Sequence, residues 1–203
     1  MNGKGLWIAA AAVALSACEN TAGPGDDARM EVAAVGEDAS AARSVSPAES
    51  GARSQQSSAS GTVSFDARVY VQTSAGAWLE LTDGAAESVS VDAAGQSESR
   101  AFASERVEAG SYSRVRVVFE DVDAQVNGSI QIGTGLLSGA VSVDLQSDNQ
   151  VVVEREVNVT AKTAATTRLL VNLNADAWLN RANAQTKTVG EAEFASAVAV
   201  TAR

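Results

Sequence analysis

One thiol and several groups of side-chain oxygens are the parts of this sequence best equipped for chemistry. Cys18 is the only cysteine among 203 residues and follows Leu15-Ser16-Ala17. A thiolate is the strongest nucleophile a side chain can offer, and small residues before it leave room for a modifying or cleaving enzyme. Three constellations are rich in oxygen: Glu120-Asp121-Val122-Asp123; Asn172, Asn174 and Asp176; and Asp144, Asp148 and Asn149. A hard cation such as Ca2+ takes about six to eight oxygens, often from carboxylates at strand ends. Asp121, Asp123 and Asp176 are therefore the candidate metal ligands, and apart from such a Ca2+ no cofactor is expected. Trp78 and Trp178 both occur as Ala-Trp-Leu. An indole can pack in a core or stack on a ligand ring, and Trp178, beside Asn174, Asp176 and Asn180, is the candidate ligand contact.

The absences narrow the chemistry further. The sequence has no histidine, so there is no imidazole base, no Ser-His-Asp or Cys-His machinery and no His/Cys zinc site. One cysteine allows no internal disulfide. Paired carboxylates could serve glycoside hydrolysis, but a small all-β domain seldom carries the wide cleft that reaction needs. Outside the first eighteen residues the only lysines are Lys162 and Lys187, and neither lies in a Ser-x-x-Lys pattern. No catalytic residue is expected. A formal net charge of −10 argues against nucleic acid, and against anionic lipid, as the main partner.

The first eighteen residues have a marked order. Lys4 precedes an uninterrupted apolar run, Leu6 to Leu15, which is shorter than the ~20 residues a spanning helix needs and suits a secretory leader. Leu15-Ser16-Ala17-Cys18 resembles the lipobox of bacterial lipoproteins. That resemblance implies a signal peptide over 1–17, cleavage before Cys18, and acylation of its sulfur with chains such as palmitate. It implies a protein of the cell envelope that is anchored to a membrane without spanning it, because two or three acyl chains hold stably where one does not. Glu19 in place of Asp leans toward the outer membrane.

Residues 19–60 contain ten Ala, eight Ser, four Gly and both prolines of the chain, no aromatic residue, and a net charge of −4 from seven acidic and three basic side chains. That composition predicts a disordered acidic tether over 18–60, spanning roughly 35 Å as a coil, with at most transient helix over 30–43.

From Gly61 onward the hydrophobic period becomes two. Val63, Phe65, Ala67, Val69 and Val71 share one face; so do Val89 and Val91, Val115, Val117 and Phe119, and Val141, Val143 and Leu145. Residues 151–159, 167–173 and 194–201 continue the rhythm. Strict alternation marks strands with one dry and one wet face, which places Arg114 and Arg116 on the wet side, either solubilising or paired with neighbouring acids, with anion binding as the alternative. Asp83-Gly84, Ala94-Gly95, Ala109-Gly110-Ser111, Asn127-Gly128 and Ser147-Asp148-Asn149 read as turns, with Asn127-Gly128 the strongest hairpin signal. The pattern predicts a single antiparallel β-sandwich of about seven to nine strands over 61–203, with a closed barrel as the alternative. Residues 176–185 read as a short helix or a loop over one end.

Within this region Glu105 to Val118, with Ala109-Gly110-Ser111-Tyr112 followed by an arginine-containing strand, resembles the hairpin of prealbumin-like lipoprotein domains of unknown function. Glu108 stands where those domains usually carry Pro. The resemblance covers fourteen residues and implies a fold but no substrate. The expected function is a non-catalytic, membrane-anchored binding or structural module of the envelope. The alternative is an outward-facing carbohydrate-binding or adhesive domain stiffened by calcium. The partners would be the membrane, through the anchor, and an envelope protein or glycan.

Overall fold

The computed structural model describes residues 27–36, 60–93, 99–132, 135–146, 150–183 and 185–203. Cys18, the leader and most of the tether lie outside them. The chain forms two packed β-sheets of four and seven strands, an all-β sandwich. The strands are β1 (Asp27–Val35), β2 (Ser60–Thr73), β3 (Trp78–Glu80), β4 (Glu87–Asp92), β5 (Arg100–Glu108), β6 (Gly110–Ile132), β7 (Gly135–Gln146), β8 (Val151–Ala161), β9 (Thr166–Asn172), β10 (Thr188–Gly190) and β11 (Ala199–Ala202). Two short helices, α1 (Ala175–Leu179) and α2 (Glu191–Ala197), sit among the last strands. The small sheet runs β11-β9-β1-β5. The large one runs β10-β7-β6-β2-β3, with β4 also on β2 and β8 also on β6.

The expected tether is corrected at residues 27–36. Asp27–Val35 is an inner strand of the small sheet, antiparallel to β5 and parallel to β9. Its own alternation accounts for this. Ala28, Met30, Val32 and Ala34 are buried against the core, whereas Asp27 and Arg29 face water. Composition averaged over 42 residues hid nine that alternate. Gly36 then passes so close to β4 that a Cβ there would stand 1.8 Å from the Asp92 carbonyl oxygen. The strand end is fixed again where the Leu173 amide donates to the Val35 carbonyl.

β6 is the spine of the large sheet and pairs with β2, β7 and β8. Asn127-Gly128 is not a turn: the strand runs through it, pairing Asn127 with Ala140 and Gly128 with Gly139. The ladder continues as far as Ile132, paired with Gly135, and so satisfies more backbone groups than an early hairpin would. The expected phase also changes once along β6. Val115, Val117 and Phe119 point inward, but after Asp121 the inward residues are Val122, Ala124 and Val126. Asp121 has φ 49 at a register shift opposite Phe65. This is a β-bulge on a residue type that tolerates the left-handed region.

Ala109-Gly110 is not a hairpin either, because β5 and β6 belong to different sheets. The chain crosses the sandwich there, and the buried Tyr112 ties the corner by donating its hydroxyl to the Glu108 carbonyl at 2.8 Å. Tyrosines brace sandwich corners in this way. Gly110 has no positive φ and open space at its Cβ position, so the turn does not require glycine there.

The stretch 194–201, read as strand, splits into the end of α2 and β11. Phe194 on α2 joins a row of edge-to-face rings: Phe102–Phe65 at 6.4 Å, Phe65–Phe119 at 5.3 Å, Phe119–Phe194 at 5.1 Å and Phe194–Trp178 at 5.5 Å. The helices lay these last two rings over an open part of the sandwich.

The position of β1 makes a direct prediction. A chain beginning at Ser60 will lack a cooperative melting transition, and Met30→Ala in the full chain will cost about 2–5 kcal/mol. Circular dichroism melting measures both. A chain truncated at Ser60 that melts like the whole protein would restore the tether reading.

Candidate functional site

The alternation that buries Val69 and Val71 turns Arg68, Tyr70 and Gln72 of β2 outward, together with Trp78 and Glu80 of β3, Arg114 and Arg116 of β6, and Glu154 and Glu156 of β8. Register sets them in rows. Tyr70, Arg116 and Glu154 lie side by side; Trp78, Gln72, Arg114 and Glu156 form the next row. Arg116 Nε donates to Glu154 Oε1 at 2.8 Å, with Nη2 2.7 Å from the same oxygen. Arg114 Nη2 lies 3.3 Å from Glu154 Oε2. The Arg116 guanidinium also sits over the Trp78 ring, 4.2 Å from its centroid. The arginines are thus paired with an acid, and one of them braces an indole as well. Trp78 and Tyr70 are both half-buried. Val152 of β8 is 49% exposed, the most open large apolar side chain among the described residues. The result is a fixed aromatic surface edged by hydrogen-bonding groups, with its carboxylate held by two guanidinium groups. Chemically, such a surface offers an aromatic face with hydrogen-bond donors and acceptors at its edge.

Trp178 is not a ligand contact. It is 1% exposed, packed against Phe194 on the inner side of α1, and its Nε1–H meets no acceptor. Burying the ring outweighs the unpaired donor. The polar residues around Trp178 suggested a surface, but in a one-turn helix only one side is wet: Asp176 and Ala177 face water while Ala175, Trp178 and Leu179 face the core. The two Ala-Trp-Leu segments therefore differ: Trp178 is core, whereas Trp78 is half-buried on the outer face of the large sheet.

The three candidate metal ligands do not converge. Asp121 is the exposed bulge residue, Asp123 lies two residues on, and Asp176 is in the first turn of α1 among the last strands. Among the described residues no group of three or more Asp, Glu, His or Cys is close enough to share an ion. Asn172 and Asn174 are used structurally. The Asn172 side-chain oxygen accepts from the Asn174 amide at 3.0 Å, and the Asn174 side-chain nitrogen donates to the Ala197 carbonyl, clasping α1 to α2. Asp176 faces water, but partial desolvation beside this cap raises its carboxyl above the ordinary range. Asp148 and Asn149 lie outside the described residues.

Asp123 instead stands directly opposite Asp144 on β7. The two carboxyls share a hydrogen bond, which raises the Asp144 pKa; partial desolvation and the Asp123 charge add to it, and Ser142 opposes it. Ser142 Oγ also donates to Asp123 at 2.9 Å.

Arg155 carries a role that the sequence pattern did not announce. It occupies the inward phase of β8, paired with Val115. Its guanidinium donates to the Val198 and Ala195 carbonyls and to the Glu154 carbonyl, satisfying the end of α2. The available signal was an arginine at an apolar position of the Val151–Val159 alternation.

The raised Asp144 pKa fixes a sign. A carboxyl held above its unfolded value disfavours folding once ionised, so this cost is present at neutral pH and fades as pH falls through the carboxylate range. Asp144→Asn should raise the melting temperature at pH 7, less so in high salt, and should make no difference near pH 3. Melting curves across that range check it.

Compared with protein-family models, curated proteins and solved structures, the chain matches none, so the resemblance read from Glu105 to Val118 rests on those residues alone.

Proposed function

We propose that this protein is a lipid-anchored, non-catalytic binding or structural module of a bacterial cell envelope, held at the membrane through Cys18 and displaying the sandwich as a rigid body. The observation that carries the reading is the placement of the lone cysteine. It closes a leader-like segment within Leu15-Ser16-Ala17-Cys18, and only eight residues separate it from the first strand. Even fully extended, eight residues reach no more than roughly 29 Å. An acyl group at Cys18 therefore confines the domain close to the bilayer and raises its effective concentration toward envelope partners. The outer membrane is the favoured site, on the strength of Glu19. Metabolic labelling with a palmitate analogue, followed by membrane fractionation, tests this. The expected result is label on the wild-type chain, none on Cys18→Ala, and release of the variant from the membrane fraction. Identical labelling and fractionation would overturn the anchor.

The Trp78 surface favours a second, more specific reading, a glycan as the partner. An indole stiffened by Arg116 and flanked by Tyr70, Gln72 and Glu154 offers a ring face with donors and acceptors at its edge. Trp78→Ala should abolish retention on a glycan array while shifting stability by about 1 kcal/mol or less. Trp178→Ala should instead cost about 3–5 kcal/mol. A Trp78→Ala protein that binds the same glycans as wild type would exclude this surface.

A further inference from the structure

The described charges are segregated along the sandwich. At the end where β1 begins, Arg29 of β1 stands directly across from Arg106 of β5, and Arg29 also pairs in register with Thr166 of β9. Like charges placed opposite each other on neighbouring strands destabilise a sheet. Among the described residues, neither arginine has a carboxylate within ion-pair distance. Lys162 opens the turn that joins β8 to β9. That turn is stitched to the same place: the Ala164 amide donates to the Asp27 carbonyl, and the Arg29 amide donates to the Ala165 carbonyl. Arg203 follows β11, its backbone paired with Arg168. Asp27 and Glu108, which face each other two residues before the arginine pair, and Glu105, next to Arg106, are the acids at this end. Four cations against three carboxylates give a local balance of +1 in a chain whose total is −10. The opposite end carries Asp92, Glu120, Asp121, Asp123 and Asp144 against Lys187 and Arg100, with Arg68 4.0 Å from Glu120.

Two open cavities, about 390 and 290 Å³, flank the Lys162 turn and share Ala165 and Thr166. Arg29 and Arg106 line the first; Lys162 and Arg203 line the second. Ala164, at the lip of the first, has φ 56, a conformation alanine adopts only at a cost. The four cations thus surround recesses the size of small polar groups.

The cationic end is also the end nearest Cys18, because β1 starts there and the eight intervening residues cannot carry the domain far. We propose that this end of the sandwich is a membrane-facing surface, with Arg29, Arg106, Lys162 and Arg203 seated against the anionic headgroups of the lipid layer that holds Cys18. The inference rests on the anchored reading above. The acidic end, repelled by the same lipids, then points away, so the domain stands with one orientation. Headgroup attraction acts only within about a Debye length, ~10 Å, of the surface. A short leash provides that proximity and a long tether would not.

Outside the leader the chain has only two lysines, Lys162 at the cationic end and Lys187 at the acidic end, which gives a built-in comparison. The mature chain is coupled through its single thiol, Cys18, to maleimide-bearing lipid, in vesicles of phosphatidylcholine alone or with about a third phosphatidylglycerol. An amine-reactive ester then labels the lysines, and mass spectrometry reads each rate. Labelling of Lys162 should slow about fivefold on the anionic vesicles, with Lys187 unchanged, and about 0.5 M salt should remove the difference. Arg29→Gln with Arg106→Gln should also remove most of it. That pair relieves a like-charge contact, so folding is preserved, as melting will confirm. Equal Lys162 rates on the two lipids, or full protection in the double variant, overturns the surface. Acyl mass on Cys18 of the native protein is read separately. Its absence overturns the anchor, whereas loss of lipid-dependent protection overturns the orienting surface with the anchor intact.

Discussion

The four-stranded sheet depends on β1. β5 and β9 do not pair with each other; each pairs with Asp27–Val35, one antiparallel and one parallel. Remove that strand and β5 becomes an isolated strand, β9 keeps only β11, and the inner face of the large sheet loses Met30, Val32 and Ala34 from above it. Parallel strands need long connections between them, and here β1 and β9 are separated by most of the chain. The pairing that closes the sandwich is therefore among the least local in the molecule, and hydrophobic burial of β1, on both faces of its second half, is what sustains it. The same strand fixes where the molecule can be held, since whatever is attached upstream pulls on the end where β1 begins.

Two irregularities adapt the regular sheets to this core. The bulge at Asp121 moves the dry face of β6 by one residue. Phe119 can then contact Phe65 and Phe194 while Val122 and Val126 face inward in the next segment. Without the bulge, period two would point Asp121 and Asp123 into the core, at a desolvation cost no partner there offsets. Arg155 solves the converse problem. An inward position on β8 meets the end of α2, where carbonyls lack intrahelical partners, and a long donor-rich side chain fills the space that a valine would leave polar and open. The aromatic row and the Asn172–Asn174 clasp then hold both helices against the sheets.

Averaged charge says little about this surface. Within a total of −10 the folded part has an acidic end, a cationic end and a paired stripe of arginine and glutamate across the large sheet. Strand direction does the sorting, because residues far apart in sequence, such as Arg29, Arg106, Lys162 and Arg203, share one end only when four strands terminate there. The Trp78 surface is produced in the same way: Trp78 and Glu154 come from strands on opposite sides of the β2–β6 pair, and Arg116 spans the distance between them.

By itself the sequence determined the all-β class, the dry faces of β2, β4, β8 and the first half of β6, and the place of Arg114 and Arg116 on the wet face. Period-two alternation is a local property, and Val63 through Val71 carry it whatever they pack against. It also singled out Cys18, whose neighbours are adjacent in the chain. Tertiary structure alone decided which sheet each strand joins, so Ala109-Gly110 became a crossing between sheets and Asn127-Gly128 became mid-strand. Tertiary structure also decided that Trp178 is core while Trp78 is surface, since identical tripeptides differ only in what folds over them. Nine alternating residues inside a polar segment, an inward arginine on β8 and the convergence of four cations at one end all depend on long-range pairing. Pairing energy belongs to two segments at once, and no window along one of them contains it.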